Sequence, residues 1–95
     1  MKKDIIKILE RELPYLKEKY GVKSLGIFGS YVKGKQKESS DIDILIEFDK
    51  PISIFKFLEI EEHLSNLLGI KVDLVSRKGL KDEIKDNILR EVIYV

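Results

Sequence analysis

Residues 28–48 read FGSYVKGKQKESSDIDILIEF, and this segment contains the clearest indications of the fold. In its second half, residues 41–48, the side chains alternate with the period of two that is typical of a half-buried strand. One face carries Ile42, Ile44, Ile46 and Phe48, and the other carries Asp41, Asp43, Leu45 and Glu47. In the first half, Gly29 and Ser30 follow an apolar segment directly. The chain therefore turns sharply there and exposes backbone N–H groups and a hydroxyl.

The sequence on either side supplies helices and further strands. We predict helices over residues 4–20, 53–68 and 80–90, and strands over residues 23–28, 71–76 and 92–95, from their hydrophobic periodicity. Residues 29–40 are rich in Gly, Ser and Lys and predict an exposed loop with one helical turn. Pro14 lies inside the first helix and predicts a kink or a restart. This order of elements indicates an α/β (α+β) fold in which helices cover a small mixed sheet.

The predicted helix over residues 53–68 carries a broad apolar stripe. The stripe consists of Ile54, Phe57, Leu58, Ile60, Leu64, Leu67 and Leu68. Glu61 falls within the stripe, and Phe55 falls outside it. Phe55 is therefore a candidate contact for a partner protein, with packing against a loop of its own chain as the alternative. His63 lies off the stripe and stands alone, so we favour a structural role for it.

Composition limits the classes of protein that this chain can represent. Its 95 residues leave room for one core, so we predict one domain over residues 1–95. The chain has no Cys, which excludes disulfides and thiolate zinc sites. A formal net charge of +1 argues against binding to long nucleic acids. No apolar run reaches about 18 residues and no signal peptide is evident, so we expect a cytoplasmic protein without membrane contact.

Three aspartates fall on neighbouring predicted strands. Asp41 and Asp43 share one face, with Cα atoms roughly 6 to 7 Å apart. Asp73 lies on the following strand, and if the two strands are neighbours the three carboxylates converge. Such anions repel each other unless water or a cation lies between them, and an open set of oxygen ligands is typical of a Mg²⁺ site. An Asp-x-Asp alone would more often lie on a solvated face or cap a turn.

Gly29-Ser30, ten intervening residues and Asp41-Ile42-Asp43 match the Gly-Ser-x10-Asp-x-Asp signature of the DNA polymerase β nucleotidyltransferase superfamily. With the later KVDLV of residues 71–75, the chain resembles the minimal nucleotidyltransferase (MNT) family, which occurs beside HEPN-domain proteins. The resemblance implies a polymerase β-type fold in which Gly29 and Ser30 hold the nucleoside triphosphate. It also implies that Asp41 and Asp43 coordinate two Mg²⁺ ions, and that Asp73 helps to bind the second ion and to activate the attacking hydroxyl.

The family resemblance further implies a function. Members act as antitoxins that transfer AMP from ATP to a tyrosine of a HEPN ribonuclease toxin. Two alternatives remain open at this point: a nucleotidyltransferase with a small-molecule acceptor, and a catalytically idle antitoxin that neutralises its partner by binding.

Charged residues near the motif carry less weight. Lys33, together with Lys35 and Lys37, is a candidate phosphate contact, although a charged loop is more often simply solvated. Arg90 and Glu91 are expected to pair with each other or with solvent.

Overall fold

The structure, a computed structural model, describes residues 2–37 and 40–95. The helices are α1 Lys2–Tyr20, α2 Ser30–Lys33, α3 Ile54–Leu68 and α4 Asp82–Glu91, and a 3-10 turn, Arg77–Gly79, precedes α4. The strands are β1 Val22–Phe28, β2 Ile42–Phe48, β3 Val72–Ser76 and β4 Ile93–Tyr94. In the part of the chain thus described, no helix has the length and apolar character that would let it cross a bilayer.

The strands form one mixed sheet in the order β3-β2-β1-β4. β1 is antiparallel to both β2 and β4, whereas β2 and β3 are parallel because α3 returns the chain between them. This arrangement confirms the predicted α+β fold with a small mixed sheet and helices.

The main core lies between one face of the sheet and helices α1 and α3. It contains Ile5, Leu9, Leu16, Val22, Leu25, Ile27, Tyr31, Ile42, Ile44, Ile46, Ile60, Leu64, Val72 and Leu74. The apolar face predicted for β2 supplies three of these residues. The opposite face of β2, which carries Asp43, therefore does not belong to this core.

The outer edge of the sheet, strand β3, is closed by side chains of α3. The Val72 N–H donates to Ser65 Oγ at 2.9 Å, and the Leu74 N–H donates to Glu61 Oε2 at 2.8 Å. These backbone groups would otherwise lack a neighbouring strand. Glu61 therefore lies in the apolar stripe because it supplies an acceptor to the edge strand.

The structure corrects two predictions about helices. α1 runs without interruption through Pro14, so the alternative of a restart was wrong. Along α3, Ile60 and Leu64 are buried, but Ile54, Leu58 and Leu67 are exposed, contrary to the predicted stripe. Ile54 and Leu67 lie near the ends of the helix, whose 15 residues span about 22 Å, whereas the five-residue strand β3 beside them spans about 16 Å. Leu58 lies two residues before Ile60 and therefore points to nearly the opposite side of the helix.

Two other residues of α3 have environments that the sequence left open. Phe55 is 82% exposed, so the alternative that it packs against its own chain was wrong. His63 is not alone: its Nε2 lies 2.5 Å from Glu12 Oε1, and its ring lies 5.7 Å from that of Tyr15. These contacts join α3 to α1 and support the structural role.

Candidate functional site

The site lies at one edge of the sheet, on the face opposite the main core. β1 ends at this edge, and the parallel strands β2 and β3 both begin there. The register places Asp43 opposite Phe28 of β1 and beside Asp73 of β3. Asp41 immediately precedes β2. The topology therefore brings the three predicted aspartates to the same edge, next to the Gly29-Ser30 turn.

Asp43 is the aspartate whose ionisation is most disturbed. Its pKa is raised from 3.8 to about 6, first by burial, and then by the charge of Asp73 and a hydrogen bond with it. The charges of Asp41 and Glu91 act in the same direction. Like charges around a half-buried carboxyl favour its neutral form. The folded protein thus concentrates carboxylates at this edge.

Gly29 makes room for the Asp43 carboxylate. A Cβ at Gly29 would overlap Asp43 Oδ2 and lie 3.1 Å from Asp43 Cγ. The φ of Gly29 is 79°, which side chains rarely adopt. Both observations require glycine here, so the turn and the carboxylate pack directly against each other.

The predicted single helical turn is present as α2, and Ser30 is its first residue. The expectation that the whole loop is exposed was wrong for Tyr31, which is only 4% exposed and belongs to the main core. Tyr31 anchors the turn to the fold, while Lys35 and Lys37 are exposed as predicted. The signature loop also includes residues 38 and 39, which lie outside the described residues.

Glu91, at the end of α4, belongs to the candidate site although no sequence pattern indicates it. Its Oε1 accepts a hydrogen bond from the Gly29 N–H at 3.1 Å, and its Oε2 lies 3.2 Å from Lys33 Nζ. The expectation that Glu91 pairs with Arg90 or solvent was therefore wrong. The residues in contact are 62 positions apart, so no local pattern signals the contact.

The aspartates have the donor chemistry of a magnesium site. Carboxylate oxygens are the ligands that Mg²⁺ prefers, and a divalent cation would favour the ionised form of Asp43. Lys71 Nζ lies 4.0 Å from Asp41 Oδ2, and the Lys71 side chain is largely solvated. Within residues 2–37 and 40–95, however, no three His, Cys, Asp or Glu side chains are grouped so as to hold a metal. The metal-binding roles of Asp41, Asp43 and Asp73 therefore stay predictions.

A groove lies at the opposite end of the sheet. Its volume is about 800 Å³, and its lining includes Phe48, Phe57, Arg77 and Leu80. None of the predicted site residues lines it. We therefore place the candidate chemistry at the open aspartate edge rather than in this groove.

A glycine turn is followed by one aspartate just before a central strand and one on that strand, and a third lies on the parallel neighbour; this arrangement defines the class as a nucleotidyl-transferring domain. Residues 5–95 match the nucleotidyltransferase domain family, and the chain belongs to that family. It is 49% identical over 92 residues to the protein adenylyltransferase MntA of Thermococcus cleftensis, an alignment that covers 97% of this chain and 93% of that protein. The chain is thus a nucleotidyltransferase, as its motif predicts.

Solved structures agree with this assignment. A candidate minimal nucleotidyltransferase superposes with a TM-score of 0.76 at 30% identity, covering 94% of this chain and 93% of that one. A toxin-antitoxin complex solved with AMP-PNP contains a chain that superposes with a TM-score of 0.72 at 25% identity, covering 98% and 70% of the respective chains. The predicted resemblance to the minimal nucleotidyltransferase family is confirmed.

Proposed function

We propose that this chain is the antitoxin of a toxin-antitoxin pair and that it transfers AMP from ATP to a tyrosine of a HEPN ribonuclease toxin. It does so as a single Mg²⁺-dependent domain. The observation that carries the proposal is the Asp43 carboxylate, which is crowded by Asp73 and Asp41 and packed against the Gly29 turn. The relative named protein adenylyltransferase supports the choice of a protein as the acceptor.

In the proposed reaction, the tyrosine oxygen forms a bond to the α-phosphorus of ATP. The bond from that phosphorus to the β-phosphate breaks, and pyrophosphate leaves. The hydroxyl proton passes to a carboxylate, for which the family resemblance indicates Asp73. Gly29 and Ser30 hold the triphosphate, and Asp41 and Asp43, with Asp73 for the second ion, would hold two Mg²⁺ ions. When bound, these ions neutralise the charge that develops on the transferring phosphate.

The open edge suits a large acceptor. Asp73 is exposed, and Asp41 and Asp43 are partly exposed, so a tyrosine on another protein can reach the site without entering a closed pocket. The negative charge at such a site comes from a few neighbouring carboxylates, so it is compatible with a net charge of only +1 over the whole chain.

The direct test combines the purified protein, Mg²⁺ and the HEPN protein encoded beside it with ATP labelled at either the α- or the γ-phosphate. We expect the α-label to enter the HEPN protein and the γ-label to remain in pyrophosphate. Transfer of the γ-label would indicate a kinase and would refute adenylyl transfer. Peptide mass analysis of the labelled protein then shows whether tyrosine is the acceptor.

Substitutions at the site separate catalysis from binding. We expect Asp41→Ala and Asp73→Ala to lose label transfer and to keep the fold, because both side chains reach solvent and neither belongs to the core. The far-ultraviolet circular dichroism spectrum and the thermal midpoint report on the fold. Full neutralisation of the toxin by Asp43→Asn without any label transfer would instead favour an antitoxin that acts by binding alone.

A further inference from the structure

Glu91 holds the two ends of the short helix α2 from outside. One carboxylate oxygen accepts from the N–H of Gly29, the residue that caps α2, and the other pairs with Lys33, its last residue. A helix of four residues closes too few hydrogen bonds to be stable by itself. α2 therefore depends on contacts from the rest of the fold, and Glu91 supplies one at each end.

The backbone of Gly29 also needs support. Its φ of 79° and ψ of −148° lie in a region that is open essentially to glycine alone. Such a conformation persists where surrounding contacts fix it. The hydrogen bond from the Gly29 N–H to Glu91 is a contact of this kind, and it acts on the peptide that leads into the Gly29-Ser30 turn.

Glu91 is itself held in place by the fold. It ends α4, and the next residues enter β4, where Ile93 pairs with Ile27 of β1. The Val92 side chain lies over Gly26, because a Cβ at Gly26 would come within 2.6 Å of Val92 Cγ2. The Glu91 side chain is only 22% exposed. The carboxylate thus reaches the turn from a backbone that the sheet has already fixed.

From these contacts we infer that Glu91 is a positioning residue for nucleotide binding: it holds the Gly29-Ser30 turn and Lys33 in the arrangement that receives the triphosphate. The inference rests on the proposed function, because it assigns ATP to this turn. Glu91 does not touch ATP itself and acts through Gly29 and Lys33. If the turn holds the triphosphate equally well in the ground state and in the transition state, loss of Glu91 weakens the affinity for ATP and raises the KM, with less effect on kcat.

The test compares Glu91→Ala with Glu91→Gln. The amide oxygen of glutamine can still accept from the Gly29 N–H, whereas alanine removes both contacts. We expect Glu91→Ala to weaken binding of a fluorescent ATP analogue, measured with Mg²⁺, by about tenfold, which corresponds to one hydrogen bond of about 1.4 kcal/mol. We expect Glu91→Gln to weaken binding by less than threefold. Glu83→Ala, an exposed position on the same helix, is the matched control and should leave binding unchanged.

Amide hydrogen exchange provides a readout that requires no nucleotide. In the free protein, the Gly29 amide should exchange at least tenfold faster in Glu91→Ala than in the wild type, with near wild-type exchange in Glu91→Gln. The inference is overturned if Glu91→Ala binds the analogue as well as the wild type or more tightly, or if Glu91→Gln behaves like Glu91→Ala in both assays. Failure of the proposed function gives a different result. In that case the wild type itself would not bind the analogue, while the exchange rate of the Gly29 amide would still show whether Glu91 holds the turn.

Discussion

Replacing Asp43 with asparagine is expected to stabilise the fold while removing a predicted metal ligand. The pKa of this carboxyl is raised from 3.8 to about 6 by burial and by the neighbouring carboxylates, so the folded protein holds the proton more tightly than the unfolded chain does. Ionisation of Asp43 therefore lowers the free energy of unfolding progressively between about pH 4 and pH 6. Above about pH 6, nearly all of this loss of unfolding free energy is present.

The size of the effect follows from the two pKa values. A difference between 3.8 and about 6 corresponds to about 3 kcal/mol if the group were fully shielded. Asp43 is partly exposed, and solvent screening reduces this to about 1 to 2 kcal/mol. In a domain of this length, such a gain raises the thermal midpoint by about 5 to 10 °C. Asparagine keeps the shape and can donate to Asp73, so it removes the charge without opening a cavity.

Thermal and urea unfolding without Mg²⁺, at pH 7.5 and at pH 4, test this prediction. Asp43→Asn should be more stable than the wild type at pH 7.5, and the difference should shrink strongly at pH 4, where the wild-type carboxyl is protonated in the fold. Asp86→Asn, an exposed position on α4, serves as the control and should change little at either pH. A stability of Asp43→Asn equal to or below that of the wild type at pH 7.5 would refute the electrostatic reasoning.

Other perturbations probe the turn, the edge strand and the proton. Gly29→Ala should abolish AMP transfer and destabilise the fold by more than Gly69→Ala does. Both glycines have positive φ, but of the two only Gly29 faces a side chain, that of Asp43. The difference between the two variants in urea unfolding therefore measures the overlap with Asp43. Glu61→Ala should lower the unfolding free energy by about 1 to 3 kcal/mol, because it leaves the Leu74 N–H unpaired. Glu62→Ala, at an exposed neighbouring position, is the control, and equal stability of the two variants would contradict the prediction. The rate of transfer should rise with pH as Asp43 ionises, with a midpoint near pH 6 at low Mg²⁺ that falls as the Mg²⁺ concentration increases. A midpoint that does not change with Mg²⁺ would argue against a metal at this carboxylate.

The fold was largely predictable because its signals are local. The alternation in residues 41–48 identified the buried face of β2, and the first helix ends at Tyr20, as its apolar pattern predicts. The exposed ends of α3 were not predictable, since the length of the neighbouring strands decides how much of a helix the sheet can cover. Pro14 lies within α1. The sequence alone could not decide whether the helix kinks there or restarts.

The site was predictable only in part, for a related reason. Asp41, Asp43 and Asp73 stand out because carboxylates interrupt strands otherwise suited to burial, and the Gly-Ser spacing points to the same chemistry. Glu91 carries no such signal. Its contact with Gly29 exists because β4 returns antiparallel onto β1 and brings the end of α4 to the turn. Contacts set by a distant strand pairing have no counterpart in the local pattern.

The closure of strand β3 restricts how an acceptor protein can approach. Many proteins recognise an extended peptide by β-augmentation, in which the peptide adds as a further strand at a sheet edge. At β3 the side chains of Ser65 and Glu61 already occupy the N–H groups of Val72 and Leu74 that such a peptide would need. A partner is therefore not recruited to this edge by its backbone. At the other edge of the sheet, strand β4 has only two residues, so little backbone is offered to an added peptide there.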